Sequence, residues 1–226
     1  MSWYKAFTPL TILAFSLAFG FVLALSGCGS TEPVRYSQVA ATTYLAPNDG
    51  DDAATVPYRY AAPVDWRGYS KAILDPVVIY QGPDQQFGSL SEEDKQKLAQ
   101  YMQAHFAERL KQRFSLTNAT GPATLRVRLT LTGAETSTAV LSTLSRFDIA
   151  GGIYNGVQAA RGGEGILTGS VSYVVEIFDA QTSKLLGAYI TKQYPGPYNL
   201  GATMGALSAS EVGIDKGADA LMEQLK

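Results

Sequence analysis

Residues 124–132 carry the sharpest alternation in the chain: Leu125, Val127, Leu129 and Leu131 are separated by Arg126, Arg128 and Thr130, with Thr124 and Thr132 at the ends. A period of two places the apolar set on one face of a strand and the polar set on the other. Residues 91–114 repeat differently. Leu98, Tyr101, Met102, His105, Phe106, Leu110 and Phe114 recur at intervals of three and four, which predicts a helix with one apolar stripe. Ser89 or Ser91 can cap it, Glu92, Glu93 and Asp94 suit its first turn, and Lys111 and Arg113 suit its end. The β-branched run at 71–80 predicts a strand that Pro76 either confines to an edge or interrupts. Val171, Tyr173, Val175 and Ile177 mark a further strand at 166–178, and a polar turn at 179–183 leads to its hairpin partner at 185–194. Pro195 and Pro197 end that hairpin by removing two backbone donors. A last helix starts near Ser208 or Ser210 and carries Ile214, Ala218, Leu221, Met222 and Leu225 on one stripe. The order of elements predicts an α+β, two-layer domain. It has a mostly antiparallel sheet of about four strands, with the long helix and the C-terminal helix packed on it. Residues 133–164 interrupt this pattern. They are poor in charge and rich in Gly and Ala, so they are expected to be a packed or functional insertion, with short helical turns around 140–147 and 153–160.

The N-terminus follows other rules. A single charge, Lys5, precedes an acid-free apolar run that ends in Leu25-Ser26-Gly27-Cys28, and Cys28 is the only cysteine. Such a run has the character of a secretory h-region. The four residues resemble the bacterial lipobox, which implies that residues 1–27 are a signal peptide and that Cys28 becomes an acylated first residue. An uncleaved membrane-spanning helix needs about 20 apolar residues, and here Thr8, Pro9, Thr11 and Ser16 fall within the run. One acyl chain attaches a protein only marginally, whereas several hold it stably. The resemblance implies three chains, hence a membrane partner through Cys28. Gly29 and Ser30 follow the cysteine with no Asp. By resemblance to enteric-type sorting, this implies an outer-membrane anchor with the domain in the periplasm. Residues 28–57 are polar and aperiodic and are expected to be a lipidated tether, spanning roughly 30 Å if flexible. Tyr36, Val39, Tyr44 and Leu45 are the groups within it that suit contact with the domain. The periplasmic α+β domain is then 58–226.

Charge and composition narrow the chemistry. Loss of residues 1–27 removes one of 18 basic residues and none of 20 acids, so the mature chain carries about three net negative charges. Without a basic cluster, nucleic acid is not an expected partner. With Cys28 committed to lipid, no thiol remains for a disulfide, a metal or a nucleophile. His105 is the only histidine and has no second His or Cys to complete a metal set, so ordinary packing is expected and no metal or cofactor site is assigned. Arg161-Gly162-Gly163-Glu164-Gly165 lacks the Lys-Ser/Thr of a phosphate loop. The spacing of the carboxylates does not favour a hydrolytic acid pair, and no enzyme is expected. Two surfaces suit binding. Arg126 and Arg128 can meet an anionic partner, or else pair with Glu176 across the sheet. Trp66 and Tyr69, with Tyr58 and Tyr60, offer stacking area for a glycan or a protein groove, or else dock the preceding chain on the core. Gly201, Gly205, Ala209, Gly213 and Gly217 recur every four residues, a seam for close approach of either a second copy or the chain's own sheet.

The segments Val64-Asp65-Trp66-Arg67-Gly68-Tyr69-Ser70-Lys71 and Ile73-Leu74-Asp75-Pro76-Val77 resemble the bacterial lipoproteins of the domain of unknown function 3313 family. So do Gly121-Pro122-Ala123-Thr124-Leu125-Arg126-Val127 and Val174-Val175-Glu176-Ile177-Phe178-Asp179. The likeness spans most of the mature chain and is weakest over 133–164. It implies class and location but brings no established activity. The expected function is a non-enzymatic binding or assembly module, anchored at the outer membrane and directed at another envelope component, a protein or the cell wall. The alternative is a lipid or small-ligand carrier with 133–164 as its lid.

Overall fold

The computed structural model describes residues 31–136, 169–196, 199 and 205–226. Cys28, the leader and both helical turns expected in the insertion lie outside the described residues. In chain order the elements are β1 Ala46–Pro47, β2 Tyr58–Ala61, β3 Lys71–Leu74, β4 Val78–Ile79 and α1 Glu92–Lys111. They continue with β5 Ser115–Leu116, β6 Thr124–Glu135, β7 Ser170–Asp179, β8 Leu185–Gln193 and α2 Ser208–Gln224. Among the described residues the strands form one eight-stranded sheet in the order β1-β2-β8-β7-β6-β3-β5, with β4 also paired to β6.

The α+β class stands, but the sheet expectation is corrected. There are eight strands instead of about four, and the sheet is mixed, because β3 runs parallel to both β5 and β6 and β4 runs parallel to β6. Five of the strands have only two to four residues, too few for a period of two to register in the sequence. Pro76 splits the run at 71–80. β3 pairs with Thr124 to Val127 of β6, Asp75 donates its N–H to the Val127 carbonyl at 3.0 Å, and β4 then pairs with Thr130 and Leu131.

One face of the sheet holds the main core. Leu125, Val127, Leu129 and Leu131 of β6 and Tyr173, Val175 and Ile177 of β7 pack against Leu98, Met102, Phe106 and Leu110 of α1. Ile214, Ala218 and Leu221 of α2 complete it. Each such side chain contributes about 1.5–3 kcal/mol when fully buried. Ser91 caps α1, its Oγ accepting the Asp94 N–H at 3.1 Å, and three acids occupy the first turn. The glycine seam faces the chain's own sheet. A Cβ on Gly213 would stand 2.8 Å from the Gln193 carbonyl and from Val171, and one on Gly217 would stand 1.5 Å from the Tyr173 hydroxyl oxygen. Gly205 is exposed outside the helix, and Gly201 lies outside the described residues.

The other face is covered by the segment expected to be a tether. Tyr36, Val39, Ala41 and Leu45 are buried against Val174, Ala188, Ile190 and Tyr80. Tyr36 meets Tyr80 edge-on at 5.2 Å and donates to Gln86 at 2.8 Å. The tether of 28–57 and the domain start at 58 are therefore corrected. From Tyr36 the chain is a folded strap, and residues 33–226 make one compact unit. The layers number three, not two: helices, sheet and strap. The outer sheet face carries Val174, Ala188 and Ile190, and an apolar face of that size needs a cover.

Candidate functional site

Cross-strand register decides which side chains meet. Arg59 of β2 lies opposite Tyr189 of β8, which lies opposite Val175 of β7, and Tyr173 lies opposite Thr191. Alternation therefore puts Arg59, Tyr189, Tyr173 and Gln193 on the helix side of the sheet. Over β2 and β8 that side is left partly open. A cleft of about 430 Å³ opens there, walled by Arg59 and Ala61 of β2, by Gly217, Ala220 and Gln224 of α2, and by Trp66, with Tyr189, Gln193 and Tyr173 from the sheet.

Each wall is fixed by identifiable contacts. The turn that brings Asp52 and Val56 to the cleft is pinned to β8, where Lys192 N–H and Thr191 Oγ1 both donate to the Thr55 carbonyl, at 2.9 and 2.7 Å. Gln193 Nε2 donates to Thr191 Oγ1 at 2.9 Å. Arg59 and Asp52 form an ion pair. Partial burial raises the Asp52 carboxyl, but Asn48 and Arg59 together hold it below the usual carboxylate range. Trp66 opens a short 3-10 turn, Trp66–Gly68, capped by Asp65 accepting from Arg67 N–H at 3.1 Å, and Arg113 donates to the Trp66 carbonyl at 2.8 Å.

Tyr173 is the unusual member. It is 0% exposed, and its hydroxyl has no hydrogen-bond partner among the described residues. The glycine at 217 leaves the space in which that hydroxyl sits. Burial pushes the Tyr173 and Tyr189 phenols well above their ordinary value, so both stay protonated across the physiological range.

The arginines are on the opposite face. Arg126 Nε lies 3.4 Å from Asp75, and Arg128 reaches Asp75 at 3.7 Å and Glu176 at 3.9 Å. Arg128 also sits over the Phe178 ring at 5.3 Å. Glu176 is directly opposite Arg128 in register, is 2% exposed, and accepts the Ala41 N–H from the strap at 3.0 Å. Burial raises its carboxyl above the usual range, with Arg128 and Ala41 opposing the shift. The arginine face is therefore occupied by the chain's own acids, the cross-strand use weighed against partner binding.

The sequence model of the family described as a protein of unknown function, DUF3313, matches residues 35–221. The chain belongs to that family. No curated protein matches it. Among solved structures, it is similar to the PelC dodecamer from Paraburkholderia phytofirmans in two crystal forms. The first, a leucine-to-methionine variant, is 10% identical, covers 73% of this chain and 94% of its own, and has a TM-score of 0.38. The second is 11% identical, covers 70% and 92%, and has a TM-score of 0.36.

In this DUF3313 chain the family match begins at residue 35, just before Tyr36, so the strap belongs to the shared region. The four residues read from the sequence as partner-binding candidates are divided by the fold. Trp66 lines the cleft. Tyr69 lies 6.4 Å from it between ring centres, but its hydroxyl is committed to Asp179 at 3.0 Å. Arg126 and Arg128 lie across the sheet. Tyr173, Tyr189, Gln193 and Gln224 were missed, since they come from three separate elements. The one signal that could have found them is Gly217, a glycine inside a helix at a position where alanine is favoured by about 1 kcal/mol. His105 packs between the helices. It stacks on Tyr101 at 3.8 Å and its Nδ1 pairs with Asp215, which also accepts from Tyr101 at 3.1 Å. Among the described residues no cluster of His, Cys, Asp and Glu could hold a metal ion, and no helix is long and apolar enough to cross a membrane. The insertion that would serve as a carrier's lid lies outside the described residues beyond 136.

Proposed function

We propose that this DUF3313 chain is a bacterial lipoprotein, acylated at Cys28 and held on the periplasmic side of the outer membrane. Its folded unit is a non-enzymatic binding module for another component of the envelope. The observation that carries the binding role is the preformed cleft beside Trp66. Its volume of about 430 Å³ is within the range of small-ligand pockets, and its walls mix apolar area with a few convergent polar groups. Its one carboxylate, Asp52, is already paired with Arg59, an arrangement suited to holding a ligand more than to moving protons.

Anchorage is supported by the lipobox-like Leu25-Ser26-Gly27-Cys28 and by the strap. Eight residues lead from Cys28 to Tyr36, the first side chain of the cluster on the outer sheet face, a reach of at most about 30 Å at full extension. An acylated Cys28 thus keeps the folded unit close to the headgroups. Cys28→Ser in the full chain, expressed with its own leader, is expected to leave the outer-membrane fraction and accumulate as precursor or as soluble protein. A Cys28→Ser protein that is processed normally and remains in the outer membrane contradicts the proposal.

A further inference from the structure

We propose that the cleft beside Trp66 receives one neutral sugar unit of a larger glycan, an inference that rests on the binding-module reading above. The reasoning starts from charge. Arg59 and Asp52 neutralise each other, and burial keeps both phenols protonated, so the walls present no net charge to a ligand. An anionic ligand would have to compete with Asp52 for Arg59, and a cationic one with Arg59 for Asp52. A ligand without formal charge leaves that pair intact.

Polarity excludes the opposite extreme. A lipid tail or other hydrocarbon filling the cleft would seal the Tyr189 hydroxyl and the Gln224 carboxamide from water. An unpaired buried group of this kind costs about 1–3 kcal/mol. The Tyr173 hydroxyl is already completely buried, in the space that a Cβ at residue 217 would take, and has no partner among the described residues. Phenols and carboxamides both donate and accept. Their natural complement is a ligand with many hydroxyls, each able to do either.

The remaining wall is apolar. Trp66, Ala61 and Ala220 offer carbon surface next to those groups. A pyranose ring combines the two halves: a C–H face for an indole and alanine wall, and equatorial hydroxyls around its edge. An aromatic side chain with one apolar surface and a polar neighbour suits such an amphipathic partner. The cleft is open to solvent, so neighbouring units of a chain can continue outward from it.

The chain's two tryptophans are Trp3 and Trp66. In the full chain carrying Trp3→Phe, kept in detergent, Trp66 is the sole indole and its fluorescence reports on the cleft directly. The titrants are the neutral trisaccharides of glucose, mannose, galactose and N-acetylglucosamine, with trigalacturonic acid and spermidine as charged comparisons. At least one neutral trisaccharide is expected to give a saturable change. Ala220→Phe, which fills the cleft, is expected to abolish it. Gln224→Leu, which removes a carboxamide from the cleft wall, is expected to weaken binding up to about tenfold, the size of one lost hydrogen bond. A flat response to all four neutral trisaccharides, a preference for a charged titrant, or undiminished binding by Ala220→Phe or Gln224→Leu overturns the sugar assignment. None of those results touches the anchorage, whereas membrane release that fails in Cys28→Ser with sugar binding intact overturns the reading beneath it.

Discussion

Glu176 shows at the residue scale how this sheet tolerates a charge in its interior. The carboxyl lies 2% exposed between β6 and the strap, with Arg128 across the ladder and the Ala41 N–H on one oxygen. Burial raises its pKa above the ordinary 4.5, and the two partners offset only part of that. The folded state therefore binds the proton more tightly than the unfolded chain. The stability this gives is fully present below about pH 4.5 and is lost as pH rises through the raised folded value. Glu176→Gln removes the titration. The melting temperature of the parent protein, measured relative to the Gln variant, is expected to fall as pH increases above 4.5. A difference that stays flat or rises would show that Arg128 dominates the site. The pairing itself was legible, because Arg128 and Glu176 stand at alternating positions of two strong strands. Its depth of burial was not, since it depends on a strap contact from 135 residues away.

At the element scale, the long alternations and the long stripe were readable. α1 and α2 occur where intervals of three and four predicted them, and β7 and β8 form the expected hairpin. β6 runs three residues past the alternation, to Glu135, because Gln86 pairs alongside it. Gln86 N–H donates to the Thr132 carbonyl at 2.8 Å and Ala134 N–H donates to the Gln86 carbonyl at 3.2 Å. Gly133 permits that approach, since a Cβ there would stand 2.7 Å from the Gln86 carbonyl oxygen. β1, β2 and β5 were not readable. A strand of two to four residues has no period, and its place is set by partners far along the chain, as when Tyr58 pairs with Ile190. The same non-local logic hid the cleft, which exists where β2 and β8 extend beyond the helix cover. α2 supplies a test. Alanine at 213 gains about 1 kcal/mol of helix propensity but must displace β8 backbone and Val171, an overpacking cost of about 1–3 kcal/mol. Gly213→Ala is expected to lower urea stability by up to about 2 kcal/mol. A stabilised variant would mean that α2 does not rest on the sheet as described.

At the scale of the whole molecule, the strap connects the fold to its proposed setting. Residues that composition marked as a linker, Ser37, Thr42, Thr43 and Pro47 among them, are interleaved with Tyr36, Val39, Ala41 and Leu45, which close the outer face of the sheet. Each of these apolar groups docks at its own point, so no helical or strand period links them. The chain between Cys28 and Tyr36 is too short to hold the unit far from an anchor point. The cleft opens on the helix side of the sheet and the strap covers the other side, so the proposed ligand surface and the segment leading to the proposed anchor are separated by the sheet itself. Mass spectrometry of the protein extracted from bacterial membranes tests this account most directly. The predicted result is an N-terminal peptide that starts at Cys28 and carries fatty-acyl mass on that residue. A chain that retains Met1 and an unmodified Cys28 thiol would contradict it.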